Sequence, residues 1–259
     1  MEPLKIAESI VETPYGGIYI KEWVPAHLLS NVPIIMLHES LGCVGLWKSF
    51  PEMLASKLSR RIIAYDRLGF GQSDIVSKIP SFNFIEEEAL IFFPEIKKHL
   101  SIDKYIVLGH SVGGCMSLNI AANDQDCTAV ISISAQAFVE DITLKGIQMA
   151  KKVFEKPGQI EKLEKWHGNK ARWVLKSWLD TWLSPDFSTW SLNYCMHDVL
   201  CPVLIIHGDN DEYGSNKFPE YIIDNVKGLS TKLIIKNCGH FPHKEKTNEV
   251  SDAILNFMS

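Results

Sequence analysis

The 259-residue chain contains no apolar run near the roughly 20 residues that a membrane-spanning helix requires. Its first stretch, MEPLKIAESIVETPYGG, lacks the basic start and apolar core of a secretory signal. A cytoplasmic protein without a membrane span is therefore expected. Positive charge is not in excess either. The net charge of −5 and the isoelectric point near 6.0 give the whole chain no nucleic-acid footprint. Cysteine is sparse and unpaired. Cys43, Cys115, Cys127, Cys195, Cys201 and Cys238 form no C-x-x-C pair and mostly lie in apolar segments. That pattern speaks against a disulfide frame or a zinc site and for reduced core residues. No internal repeat and no low-complexity tract is present.

What is there is the composition of a globular α/β protein, 46% hydrophobic and 22% charged, long enough for a sizeable core. IAESIVETPYGGIYIKEWV reads as two strands joined around Pro14–Gly17. VPIIMLHES is a near-continuous apolar run, as expected of a strand buried on both faces. LWKSFPEMLASKLS has helical spacing through Leu46, Phe50, Leu54 and Leu58, with Pro51 tolerable only near the start. RRIIAYDRLGFGQSD gives a strand and a Gly-rich turn, and FNFIEEEALIFFPEIKKHL a helix kinked or broken at Pro94. YIVLG, TAVISISA, PVLIIHG and TKLIIKN complete eight strands, with helices near Phe218–Val226 and in EVSDAILNFM. Alternating strands and helices predict a mostly parallel sheet covered on both faces.

The alternation breaks once. Between Gln136 and His197 there is no convincing strand, but there are Lys-rich helical stretches and five of the seven tryptophans: Trp166, Trp173, Trp178, Trp182 and Trp190. Residues 136–197 are therefore expected to form a helical cap inserted into a core made of residues 1–135 and 198–259.

The stretch around which the chain is organised is YIVLGHSVGG, residues 105–114. An apolar strand ends at Gly109 and a packed helix begins near Gly113, so Gly109-His110-Ser111-Val112-Gly113 is a G-x-S-x-G strand–turn–helix element. A side chain at either glycine would strike the neighbouring strand or helix. The serine is expected in a strained conformation with its oxygen raised above the sheet. The N–H groups that follow lie at a helix N-terminus, which favours a developing oxyanion.

A serine hydroxyl needs a base, and a base works better when a carboxylate fixes its tautomer. Both occur after later strands, where catalytic groups of open parallel sheets gather. His240 follows LIIKNCG and is the expected base, with His243 the fallback. His110 is read as structural and His207 as a strand residue. Asp211 is the expected carboxylate, with Asp209 and Asp198 as alternatives. Backbone N–H groups of Ser40, in the loop His38–Gly42, and of Val112 are the expected oxyanion donors.

Together these motifs resemble the α/β-hydrolase superfamily, in its capped esterase-like branch, over nearly the whole chain. They are the hairpin start, the HESLG loop, YDRLGFGQSD, GHSVGG, HGDND and NCGHFPHKE. The resemblance implies Ser111 as nucleophile, His240 as base and Asp211 as its orienter, with no metal and no organic cofactor. Serine at 111 argues against haloalkane dehalogenases and epoxide hydrolases, which carry Asp there. Two departures stand out. Glu39 replaces the glycine usual after His38, and Glu212-Tyr213-Gly214 replaces the usual Val-Pro after the acid.

The expected substrate is a small-molecule carboxylic ester of a small to medium acyl group. Thioesters, carrier-linked esters and C–C bonds are alternatives, as is a ligand receptor on the same fold that has lost turnover. Residues 145–172 carry +5 against −10 elsewhere. A solvated helix face is the default reading, and a docking face for an acidic acyl carrier protein or coenzyme A is the sharper one. The tryptophans are expected mostly to pack the cap onto the core, Trp178 and Trp182 included, with lining of an apolar acyl pocket as the alternative.

Overall fold

Strands in which every residue is apolar can be satisfied only between two layers of packing partners, and that sets the architecture. The computed structural model describes residues 4–259. Eight strands form one sheet: β1 (Lys5–Thr13), β2 (Gly16–Val24), β3 (Ser30–Leu37), β4 (Arg60–Tyr65), β5 (Tyr105–His110), β6 (Cys127–Ile133), β7 (Val203–Gly208) and β8 (Ser230–Ile235). Their order is β1-β2-β4-β3-β5-β6-β7-β8. β1 and β2 are an antiparallel hairpin, β2 meets β4 antiparallel, and every remaining pair is parallel. Both faces are covered. On β3, Ile35 and Leu37 enter one hydrophobic layer while Ile34 and Met36 enter the other. On β5, Tyr105 and Val107 alternate with Ile106 and Leu108 in the same way.

Two helix expectations are modified. The run through Leu46 is not one helix. A 3-10 turn, Val44–Trp47, is separated from the helix Phe50–Leu58 by Lys48, whose φ of 56° no helix can carry. Pro51 sits in the first turn of that helix, where its missing N–H leaves no bond unmade. Nor does the second helix break at Pro94. It runs as Phe84–Glu87, a π-helical turn Glu88–Phe92, and Phe93–His99, with Phe93 N–H donating to Glu88 O. The wide turn absorbs the missing proline donor just before Pro94, and the chain continues.

Between β6 and β7 lie the helices Asp141–Phe154, Gln159–His167 and Ala171–Trp182, followed by 3-10 turns up to Asp198. An isolated antiparallel bridge, Phe138 to Ser191, ties the two ends of this segment together. His167 fixes it to the sheet side. Its Nδ1 accepts from Gly71 N–H at 2.9 Å, and its Nε2 donates to Leu41 O at 3.0 Å. All six cysteines are free thiols, five buried and Cys201 half-buried. Among the described residues no helix is long and apolar enough to cross a membrane, and no cluster of side chains is arranged to hold a metal ion.

Candidate active site

Ser111 stands between β5 and the helix Val112–Asn123 with φ 56° and ψ −125°, the strained left-handed turn expected for it. The glycines on either side are required by contact. A Cβ on Gly109 would lie 2.0 Å from Gly113 O, and one on Gly113 would lie 2.2 Å from Leu37 O. Ser111 N–H donates to Ile133 O at 2.8 Å, which anchors the turn to β6.

His240 follows β8 in a loop held by two carboxylates. Glu212 accepts from His240 N–H at 3.2 Å, while Glu245 accepts from Gly239 N–H at 2.8 Å and from Phe241 N–H at 3.1 Å. His110 Nε2 donates to His240 O at 2.7 Å, so the histidine inside the elbow braces the loop, in the structural place expected of it. His240 Nδ1 lies 2.9 and 2.8 Å from the two oxygens of Asp211. A carboxylate only accepts, so Nδ1 carries a proton, and in the neutral ring Nε2 keeps its lone pair. Burial works against the charged ring, but the Asp211 carboxylate outweighs it and holds the His240 pKa above its ordinary value. Burial likewise opposes the Asp211 charge. The His240 partner and the Tyr213 N–H bond prevail and keep that carboxyl below its usual range.

The alternatives fall elsewhere. His243 packs against Trp47 and Phe50 at ring distances of 4.9 and 5.5 Å, buried and with Nδ1 unpaired. His207 is a β7 residue whose Nε2 donates to Gly214 O at 3.2 Å. Asp209 faces Lys236 at 3.5 Å, and Asp198 is exposed in a 3-10 turn. In the segment Glu212-Tyr213-Gly214 after Asp211, Tyr213 O accepts from Thr143 Oγ1 at 2.7 Å.

Ser111, His240 and Ser40 line one cavity of about 100 Å³. Ser111 Oγ and His240 are not hydrogen-bonded to each other. The hydroxyl instead receives Gln136 Nε2 at 3.2 Å. Val112 is the first residue of the helix after Ser111, and neither its N–H nor that of Ser40 has an acceptor among the described residues. Two free donors therefore flank the serine. Glu39 lines the same cavity, with Oε2 accepting from Leu41 N–H at 2.5 Å.

Sequence reasoning missed Gln136. Its position just past β6, at the carboxyl end where site residues collect, was the available signal. Of the tryptophans between β6 and β7, Trp173 packs on Phe70, Trp166 lies under Lys48, and Trp190 stacks on Phe187. Trp178 and Trp182 pack too, against Tyr213 and Phe187, and they also form a wall of the cavity.

A family model for the alpha/beta hydrolase fold matches residues 32–169, more than half of the chain. The 1-acylglycerol-3-phosphate O-acyltransferase ABHD5 of Sus scrofa is 32% identical over 94 residues, 36% of this chain and 26% of that protein. The chain thus matches only about a quarter of that relative's length. Among solved structures, a proline iminopeptidase from Mycobacterium smegmatis superposes with a TM-score of 0.72 at 19% identity, covering 97% of each chain. Carboxylesterase CesB from Bacillus subtilis does so with a TM-score of 0.70 at 18% identity, covering 99% of this chain and 92% of its own. At these identities the likeness is one of fold.

Proposed function

The chain belongs to the α/β-hydrolase fold family, and on that premise we propose that it is a serine hydrolase cleaving carboxylic esters of small to medium acyl groups. The observation that carries this is the His240–Asp211 pair facing the cavity into which the strained Ser111 opens. In the reaction His240 Nε2 takes the Ser111 proton as Oγ attacks the carbonyl. Asp211 holds the imidazole tautomer and favours the imidazolium that forms. The oxyanion rests on the N–H groups of Val112 and Ser40, each such donor being worth about 3 kcal/mol of barrier. His240 then protonates the leaving alcohol. Water, deprotonated by the same ring, releases the acid from the acyl-enzyme. Apart from that water, every group this sequence of steps uses is a side chain or backbone amide of the chain itself. Residues 136–197 act as a cap over the core, with Trp178 and Trp182 shaping the acyl pocket.

The test is labelling by a fluorophosphonate probe together with turnover of p-nitrophenyl esters from acetate to decanoate. Both are expected in the wild type and absent in Ser111→Ala, and the chain-length optimum measures the pocket. A folded wild type that neither labels nor turns over any ester overturns the reading and leaves a binding role on the same fold.

One observation favours a second reading, hydrolysis of esters or thioesters on an acidic acyl carrier. Lys145, Lys151, Lys152 and Lys156 are all solvent-exposed along one arm of the insertion. Turnover of a carrier-bound acyl group would then fall steeply with salt, while that of a small neutral ester would not.

A further inference from the structure

The cavity beside Ser111 contains a carboxylate that the hydrolytic steps do not use. We infer that Glu39 makes this cavity a cation-binding pocket, so that the preferred esters carry a quaternary or protonated amine close to the scissile bond. The inference rests on the serine-hydrolase reading and names the substrate class for it.

Three observations support it. The first is the disposition of the carboxylate itself. Glu39 Oε2 is held by Leu41 N–H, whereas Oε1 has no hydrogen-bond partner among the described residues. Bracing the loop takes one oxygen, and the second is free for a ligand. The second observation is the lack of a direct ion-pair partner, although the charges of Lys244, His240 and Arg67 act on Glu39 without pairing with it. No lysine or arginine lines the cavity, and among the described residues none forms an ion pair with Glu39. Arg67 is occupied with Glu39 O at 3.2 Å and lies over the Phe70 ring at 4.2 Å. Lys244 lies over Phe241 at 4.5 Å. The third is the composition of the walls. Trp178, Trp182, Tyr213 and Phe241 present aromatic rings, and a ring face next to a carboxylate favours an alkylammonium over a neutral alkyl group.

Two of the neutral polar side chains in the walls are already engaged, Gln136 with Ser111 and Thr143 with Tyr213 O. Burial raises the Glu39 pKa against the opposing pull of Leu41 N–H, Lys244, His240 and Arg67, so the charge there is only partly compensated and a ligand cation would relieve it further. By the same argument, an acyl group ending in a carboxylate is repelled.

Two isosteric ester pairs test this. On the alcohol side they are 2-(trimethylammonio)ethyl acetate and 3,3-dimethylbutyl acetate. On the acyl side they are the p-nitrophenyl esters of 4-(trimethylammonio)butanoate and 5,5-dimethylhexanoate. Within each pair only a quaternary nitrogen replaces a carbon. In at least one pair the wild-type kcat/KM is expected to favour the cation by about tenfold. That ratio should fall close to one in Glu39→Gln, which keeps an oxygen for Leu41 N–H. A ratio near or below one in both pairs, or one that the substitution leaves unchanged, overturns the inference. If no ester is turned over and Ser111 does not label, the hydrolase reading fails instead. The pocket is then judged by titrating tetramethylammonium and following tryptophan fluorescence. Saturable binding lost in Glu39→Gln sustains the cation site, and no binding in the wild type overturns it.

Discussion

His240 Nδ1 and the Asp211 carboxylate, 29 residues apart in the chain, meet at 2.9 and 2.8 Å in a buried bidentate contact. β7 and β8 are neighbouring parallel strands, paired from Val203–Ser230 to Gly208–Ile235. The loops leaving their carboxyl ends therefore emerge side by side, and the pair is a consequence of sheet order. It has a direct kinetic signature. The proposed reaction needs neutral His240, and Asp211 raises that group's pKa. The kcat/KM for a small neutral ester should rise with pH through an apparent pKa above the ordinary histidine value near 6.5. Asp211→Asn should lower kcat by about 10³–10⁴-fold and move the rising limb to lower pH, because the imidazolium has lost its partner. A pH–rate profile of the two proteins is the check.

Gln136 donates to Ser111 Oγ, which in the proposed reaction would favour the alkoxide character that develops as the proton leaves. Gln136→Ala should reduce kcat by about tenfold. Gln136→Glu should reduce it further, since a carboxylate beside Oγ opposes that charge. Single-turnover acylation rates measure both.

His240 and His243 are three residues apart, but only one has a carboxylate partner. His240→Gln should abolish fluorophosphonate labelling. His243→Gln should retain it and instead lower thermal stability by about 1–2 kcal/mol through lost packing against Trp47 and Phe50. Labelling and melting curves on the same samples separate the two roles.

The glycines of the elbow are dictated by backbone contacts that no rotamer can relieve. Gly109→Ala and Gly113→Ala each force a Cβ onto a carbonyl oxygen. Each should cost about 3 kcal/mol or more, read as a lower denaturation midpoint or as loss of folded protein.

His167 gives a stability prediction with a definite sign. Burial lowers its pKa to about 4, below the unfolded value near 6.5. Its neutral bonds to Gly71 and Leu41 therefore contribute fully above pH 6.5, and the contribution is lost as the pH falls toward 4. The difference in unfolding free energy between wild type and His167→Gln should shrink over that interval by on the order of 3 kcal/mol. Denaturant titrations at several pH values measure it, and other titrating groups largely cancel in the difference.

The sequence by itself determined what depends on neighbours along the chain. The strand–turn–helix around Ser111 is such a feature, because Gly109 and Gly113 are the only residue types that its backbone contacts allow. The doubly buried strands are another, since unbroken apolar runs admit only a covered sheet, and the lapse of strand pattern after Gln136 is a third. Even local rules were overridden in places, as at Lys48, whose left-handed φ splits an otherwise helical spacing.

The tertiary structure decided which of several candidate side chains face one another. Nothing in the sequence distance separates Asp211 from Asp209; only the turn after β7 buries the first and points the second at Lys236. The Gln136 contact with Ser111, across 25 residues, depends on β6 lying beside β5. The wall of Trp178 and Trp182 depends on how the helix Ala171–Trp182 packs beside Ser111 and His240. Short-range sterics are written into residue type. Convergence of side chains from separate strands is set by sheet order and packing, which no single stretch of sequence contains.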